Sequence, residues 1–252
     1  MCCFSRPVQS VSATNIFARS VENGRQLVIY SMTIRAKEEL AMVLPLPVKA
    51  GSNEKAVTFI DLKGYPDFFG DLQKGFPVPM AAAPLSRSLG TPPPARAKLD
   101  VVAVGSFEAS FVPTVADFSR LDERFRLPPG TWEKLPTYRD HGFAVFKLKS
   151  GELKVHPMAL SFPRANPAEL FFPTVHIHDG KVHDQAEFDH TLFCQRGSTD
   201  MLSLLGWDES FRHAAAFMQV DKANGMVDGG EHCYRRTLIG NLPNKDFILN
   251  AA

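Results

Sequence analysis

Four of the eight histidines fall within PTVHIHDGKVHDQAEFDH, residues 173–190. The pair Asp179-Gly180, between LFFPTVHIH and KVHDQAEF, has the composition of a two-residue hairpin turn. In that register His178 faces Lys181, Ile177 faces Val182 and His176 faces His183. Side chains alternate along a strand, so His176 and His178 share one face. His183 then joins them across the ladder, at a Cβ separation of about 4.5–5.5 Å. Three imidazoles so placed suit one zinc or copper ion and leave a position open for water or a substrate. Glu187 lies on the same face by parity and is the expected fourth ligand or general base. His190 and Cys194 share parity with Phe188 and Leu192, an apolar face where a buried histidine and an inert thiol are ordinary. A bulge after Asp184 would turn His190 toward the cluster instead. The plainer alternative is a set of solvated histidines on the polar face of a hairpin.

The second chemical candidate is Cys2-Cys3. Removal of Met1 would give Cys2 both a thiol and an α-amine, a nucleophile and a base as in N-terminal nucleophile hydrolases. Cys2 or Cys3 could equally act as a distal soft ligand of the histidine site. A frayed terminus with unremarkable thiols is the competing reading.

The elements that must position these residues are strands. Asn23-Gly24 and Ser150-Gly151 mark two further hairpins, which set Glu22 opposite Arg25 and Lys149 opposite Glu152, each an opposite-charge pair. Other strand candidates are LAMVLPLPV, AVTFIDL, LDVVAVGSFEASFV, FDHTLFCQ and HCYRRTLIG. Pro45 and Pro47 cannot donate to a ladder, so their segment belongs on an edge or leaves the sheet there. Short helices are expected over roughly Pro66–Gly75, Val115–Phe125 and Asp208–Met218. Residues 77–97 contain six prolines and no periodicity, the pattern of a long exposed loop. An internal echo sets Met42, Leu44 and Pro47 against Met158, Leu160 and Pro163, as if two similar β units packed as a sandwich or barrel.

The runs CCFS, NIFAR, VIYSM, LAMVLPLPV and FIDLKGYPDFFGDL, with FFPTVHIHDG and FDHTLFCQ, resemble an uncharacterised family of bacterial proteins. That family shares a Cys-rich start and an aliphatic-Leu-Pro-x-Pro segment. The resemblance implies a β-rich single unit and carries no reaction, cofactor or catalytic residue.

Composition narrows the class without naming it. The 252 residues carry 28 Lys+Arg against 27 Asp+Glu, a net charge of +1. That balance leaves no electrostatic footprint for nucleic acid or an anionic membrane. Four cysteines are too few for a disulfide scaffold. The opening MCCFSRPVQSVSATN breaks every apolar pair with polar residues, and no run approaches a membrane span. A cytoplasmic protein with reduced thiols is expected. Phosphate-binding glycine loops, Cys-x-x-Cys pairs and Gly-x-Ser-x-Gly elbows are absent from the sequence.

The sequence therefore predicts one α+β domain over residues 1–252, predominantly antiparallel β with a few short helices. Its leading functional expectation is a mononuclear zinc or copper site, with metalloenzyme activity on a small-molecule or peptide substrate as the further step. The ligand candidates are His176, His178, His183, His190, Cys2 and Cys3, with Glu187 as the catalytic group. The alternatives are a non-enzymatic β-rich binding domain, or a hydrolase built on Cys2.

Overall fold

Alternation along two long neighbouring strands explains how the layers form. In β2 (Ser10–Val21) and β3 (Arg25–Ala36), Ile16, Ala18, Val28, Tyr30, Met32 and Ile34 face one core, while Phe17, Leu27 and Ile29 face another. A strand with apolar residues at both parities must be covered on both sides. The computed structural model describes residues 2–76, 102–104, 107–196 and 204–250.

The remaining strands are β1 (Cys2–Phe4), β4 (Leu40–Leu46), β5 (Thr58–Asp61), β6 (Val102–Val104), β7 (Phe107–Val112), β8 (Gly142–Leu148), β9 (Gly151–Lys154) and β10 (Met158–Pro163). They are followed by β11 (Glu169–Phe172), β12 (His176–Ile177), β13 (Gln185–Gln195), β14 (Asp208–Glu209), β15 (Tyr234–Pro243) and β16 (Phe247–Asn250). A six-stranded sheet runs β12-β1-β4-β8-β7-β6. An eight-stranded sheet runs β14-β15-β13-β2-β3-β10-β5, with β9 pairing to β3, and β11 pairs with β16 in a separate ribbon. Only β1–β12 and β13–β2 are parallel among the described pairs. The sheets do not close, so the architecture is a β-rich sandwich and not a barrel.

The larger core lies between the two sheets. The second lies between the eight-stranded sheet and a cover of α1 (Phe68–Gln73) with residues 214–233. The outer face of the six-stranded sheet is closed by 3-10 turns, where Phe118 and Trp132 pack on Phe143 with ring centroids 5.0 and 4.4 Å away. Every residue of β4 is buried as a result.

The turns differ from the expected registers. At Asn23-Gly24 Val21, not Glu22, opposes Arg25, because Asn23 (φ 62°) and Gly24 (φ 70°) both take left-handed conformations in a three-residue loop. Around Ser150-Gly151, β8 and β9 enter different sheets, so Glu152 opposes Arg35 and not Lys149. At Asp179-Gly180, β12 pairs with β1 and not with the residues that follow the turn. The expected helix at Asp208–Met218 is replaced by β14 and one 3-10 turn. Its backbone N–H groups donate outward instead, Ser210 to Cys233 O and Ala214 to Glu231 O, both closing distant contacts at 2.8–2.9 Å. Val115–Phe125 forms 3-10 turns, and Pro66–Gly75 contains α1. Pro45 has Phe143 opposite it on β8, while β1 on the other side is registered only with Val43 and Met42. The echo segments become β4 and β10, in different sheets. Their proline ends meet in reciprocal bonds, Lys49 N to Pro163 O at 3.1 Å and Ala165 N to Pro47 O at 2.8 Å. The proline-rich segment 77–97 lies outside the described residues. No helix among those residues is long and apolar enough to cross a membrane.

Candidate functional site

The histidine cluster forms where the two sheets come together. Strand β12 is only two residues long and is held from both sides. Its parallel partner β1 places Cys2 opposite His176 and Cys3 opposite Ile177. The turn between β15 and β16 clamps it from the other direction. Asn244 Oδ1 accepts the His176 N–H at 2.7 Å, and Asn244 Nδ2 donates to the carbonyls of His176 and His183 at 2.9 Å each. Asp246 Oδ1 accepts the N–H groups of Thr174 (2.8 Å) and Val175 (3.0 Å), while its Oδ2 accepts the Tyr138 hydroxyl at 2.6 Å. An extended segment without a full ladder partner must satisfy its backbone in this way.

From the eight-stranded sheet, β13 turns Phe188, His190, Leu192 and Cys194 toward the core and leaves Glu187 and Asp189 outward. His190 thereby meets His176, with ring centroids 4.7 Å apart, and His178 lies 4.8 Å from His176. Phe188 sits 4.4 Å from the His176 ring, and Phe4 5.7 Å from His178. Nε2 of all three histidines, Nδ1 of His190 and Oγ1 of Thr14 are buried without a hydrogen-bond partner. Thr14 is the register partner of His190 on β2. Asp189 Oδ1 is 3.7 Å from His190 Nδ1, beyond hydrogen-bond reach.

Burial holds these imidazoles neutral. It is the chief cause pushing His176 down to about 2 and His178 down to about 4, and it drives His190 lower still. Burial also raises Asp246, against the hydrogen bonds that favour its charge.

The cluster therefore differs in membership from the expected one. His176, His178 and His190 come together. His183 is half exposed and pairs with Asp179, Nε2 to Oδ2 at 2.9 Å, because the hairpin register that would carry it inward does not form. Glu187 is exposed on the opposite face of β13 from His190. Cys3 is buried in the inter-sheet core, and Cys2 is placed by its backbone register beside His176. Burial raises the thiols of Cys194, far above the usual range, and Cys233, to about 12, which makes both poor nucleophiles. Among the described residues no group of three or more His, Cys, Asp and Glu could hold a metal ion, so the expected zinc or copper site finds no support in the structure. Thr14, Asp189 and Asn244 carry no local sequence signal; each is recruited by pairing between distant segments.

A second feature stands on the far side of the eight-stranded sheet. Lys74, Gly75, Phe211, Arg212, Ala216 and Phe217 line an open groove of about 460 Å³. Phe211 is 71% exposed, yet its N–H donates to Gly75 O at 2.9 Å. Phe217 packs so closely on Gly75 that a Cβ there would meet its ring.

The fold and these two features define a β-sandwich with a buried imidazole cluster and an aromatic surface groove. No protein-family model and no curated relative matches the chain. Among solved structures, baculovirus P35 aligns at 13% identity with a TM-score of 0.47, covering 96% of each chain. A mutated baculovirus P35 after caspase cleavage aligns at 13% identity and TM-score 0.49, covering 95% of this chain and 99% of that one. The caspase-8/P35 complex aligns at 13% identity and TM-score 0.46, covering 95% and 96%. Likeness of this size transfers no residue role and no activity.

Proposed function

We propose that this chain is a non-enzymatic binding domain whose aromatic groove at Gly75 and Phe211, together with the proline-rich residues 77–97, engages a partner protein. Phe76 is 2% exposed under the Arg235 guanidinium, 4.8 Å from its ring centre, and Val102 opens β6 in the opposite sheet. In the sequence between them come Pro77, Pro79, Pro84, Pro92, Pro93 and Pro94. Proline-rich chain loses less entropy on binding than flexible chain and leaves its carbonyls available to a partner.

The observation that carries the reading is Phe211. A solvent-facing aromatic side chain whose backbone is tied to Gly75 lines the groove. Exposed aromatics are what interfaces use as anchors. Lys74 and Arg212 on the same groove favour a partner surface that combines apolar and acidic groups.

The test measures binding of the full chain to candidate partner proteins. Caspase-8, named in one of the aligned structures, serves as the first probe. Wild type is compared with Phe211→Ser and with a chain whose residues 77–101 are replaced by a Gly/Ser linker. Each change is expected to weaken the complex at least tenfold, about 1.4 kcal/mol. A complex indifferent to both changes overturns the reading.

A further inference from the structure

Four of the strands that end the two sheets are short: β12 and β14 have two residues each, β6 three and β5 four. A short edge offers little to a foreign strand, which protects a sheet against pairing with another chain. Strand β15 differs. All ten residues of Tyr234–Pro243 pair with β13 on one side, but β14 covers only Tyr234 and Arg235 on the other. Pro243 has no N–H to give. Ten residues less these three leaves the seven of Arg236–Leu242 without an outer strand among the described residues. Among those residues, the backbone of this run makes no hydrogen bond outside the β13 ladder.

The usual defences of an edge are missing here. The run carries no proline, lysine or acidic residue, and its single charge, Arg236, sits at one end. No bulge turns it away, because the register to β13 advances one residue at a time through Gly240, despite its φ of 94°. Parity sends Arg236, Leu238, Gly240 and Leu242 to the inter-sheet face, and Thr237, Ile239 and Asn241 to the outer face. Ile239, the middle residue of the run, is 73% exposed. An edge of this length with a bare apolar side chain at its centre is a template for an added strand.

The strand that fits is a second β15. Antiparallel partners set residues of like parity opposite each other, so a twofold axis through Ile239 brings the whole run into register with itself. Ile239 then faces its own counterpart, Thr237 faces Asn241, Leu238 faces Gly240 and Arg236 faces Leu242. No like charges are opposed, the two arginines fall at opposite ends, and the two Ile239 side chains cover each other. Leu205 is 81% exposed and adjoins Gly206, where an added Cβ would lie 3.8 Å from Arg236 Nη1, so it adds apolar surface at that end of the run.

We propose that β15 is a self-pairing edge: two copies of this chain associate through Arg236–Leu242, about a twofold axis at Ile239, and join their eight-stranded sheets into one.

The test uses the full chain. Sedimentation equilibrium over a range of concentrations should show a reversible monomer–dimer equilibrium for wild type. I239D sets two carboxylates against each other at the axis and should weaken the dimer at least about tenfold. Disulfide trapping checks the register. On oxidation I239C should give a covalent dimer beyond the level of oxidised wild type, because directly opposed residues have Cα atoms about 4.5–5.5 Å apart, within disulfide reach. T237C and N241C, tagged differently and mixed, should form the mixed dimer in preference to either homodimer. Circular dichroism verifies folding, and the cysteine variants decide the matter if I239D does not fold. A wild type that stays monomeric at every concentration overturns the proposal, even if its edge takes up a strand from another protein. So does a dimer that survives I239D in folded protein, or trapping that ignores the pairing of residues 237 and 241.

Discussion

His176 and His190 stand with ring centroids 4.7 Å apart, although their strands belong to different sheets of the sandwich. The pair bridges the inter-sheet core where packing would ordinarily be apolar, and neither ring finds a hydrogen-bond partner for its Nε2. That arrangement is a local cost to the fold.

The cost is measurable at His190, where both ring nitrogens are orphaned. Replacing a buried unpaired polar group by an apolar one of similar volume removes a desolvation penalty of about 1–3 kcal/mol. His190→Leu should therefore match or exceed wild type in urea unfolding. A loss above about 1 kcal/mol would show that His190 has a partner in solution.

Acid should unfold the protein in a specific window. The unfolded histidine titrates near 6.5. Burial pushes His178 down to about 4, His141 to about 4 and His176 to about 2. Above pH 6.5 both states are neutral at these sites, and stability does not depend on them. As pH falls below 6.5, the unfolded chain takes up protons that the folded chain refuses, so stability is lost. Each such histidine contributes up to about 1.4 kcal/mol per pH unit down to its folded value. Urea titrations at pH 7.5, 6.0 and 5.0 should show a shallower acid decline for His176→Leu than for wild type. Equal slopes would mean the imidazole is hydrated in the fold.

How much of this was legible can be argued from the cluster. His176 and His178 share a face because they are two residues apart, and that much follows from strand geometry. The parity of His190 with Phe188 and Leu192 was equally readable, and the apolar face it indicates is where the cluster sits. What misled was the Asp179-Gly180 turn, which has hairpin composition but joins a two-residue strand whose partner lies at the opposite end of the chain. A turn sets register only when both flanks enter one ladder. The sandwich and the α1 segment followed from local pattern, whereas the 208–218 segment did not, because its backbone is satisfied by residues far away in sequence. Phe211 carries no periodic signal at all; its exposure is a property of the assembled layers.

Asp246 should prove the main fastener of the histidine strand. It accepts bonds from the Tyr138 hydroxyl and from the N–H groups of Thr174 and Val175. Asp246→Ala strands all three donors and should cost at least about 2 kcal/mol. Asp246→Asn keeps an acceptor for the two N–H groups, and the Tyr138 oxygen can accept from the new amide, so about half the loss or less is expected. Equal losses for the two variants in thermal or urea unfolding would contradict this division.

Gln26 offers a prediction whose pH dependence runs the other way. Its buried amide acts as a substitute strand partner for β11: Nε2 donates to Phe171 O at 2.6 Å, and Oε1 accepts the Phe171 N–H at 3.0 Å. Gln26→Leu removes both bonds at once and should cost about 2–4 kcal/mol, the penalty for two stranded buried groups. Gln26→Glu is more informative. As a carboxylate it still accepts the N–H but sets a second oxygen against Phe171 O and buries a charge. As a carboxylic acid it reproduces the donor and acceptor of the amide. Its folded pKa should therefore rise above the usual value near 4.3, so the folded state binds the proton more tightly than the unfolded chain. Stability of Gln26→Glu relative to wild type should be lowest at neutral pH and recover as pH falls through the raised pKa, by about 1.4 kcal/mol for each unit of elevation. A difference between the two proteins that stays constant from pH 7.5 to 5.0 would show that residue 26 is hydrated and that the β11 ribbon is held by other contacts.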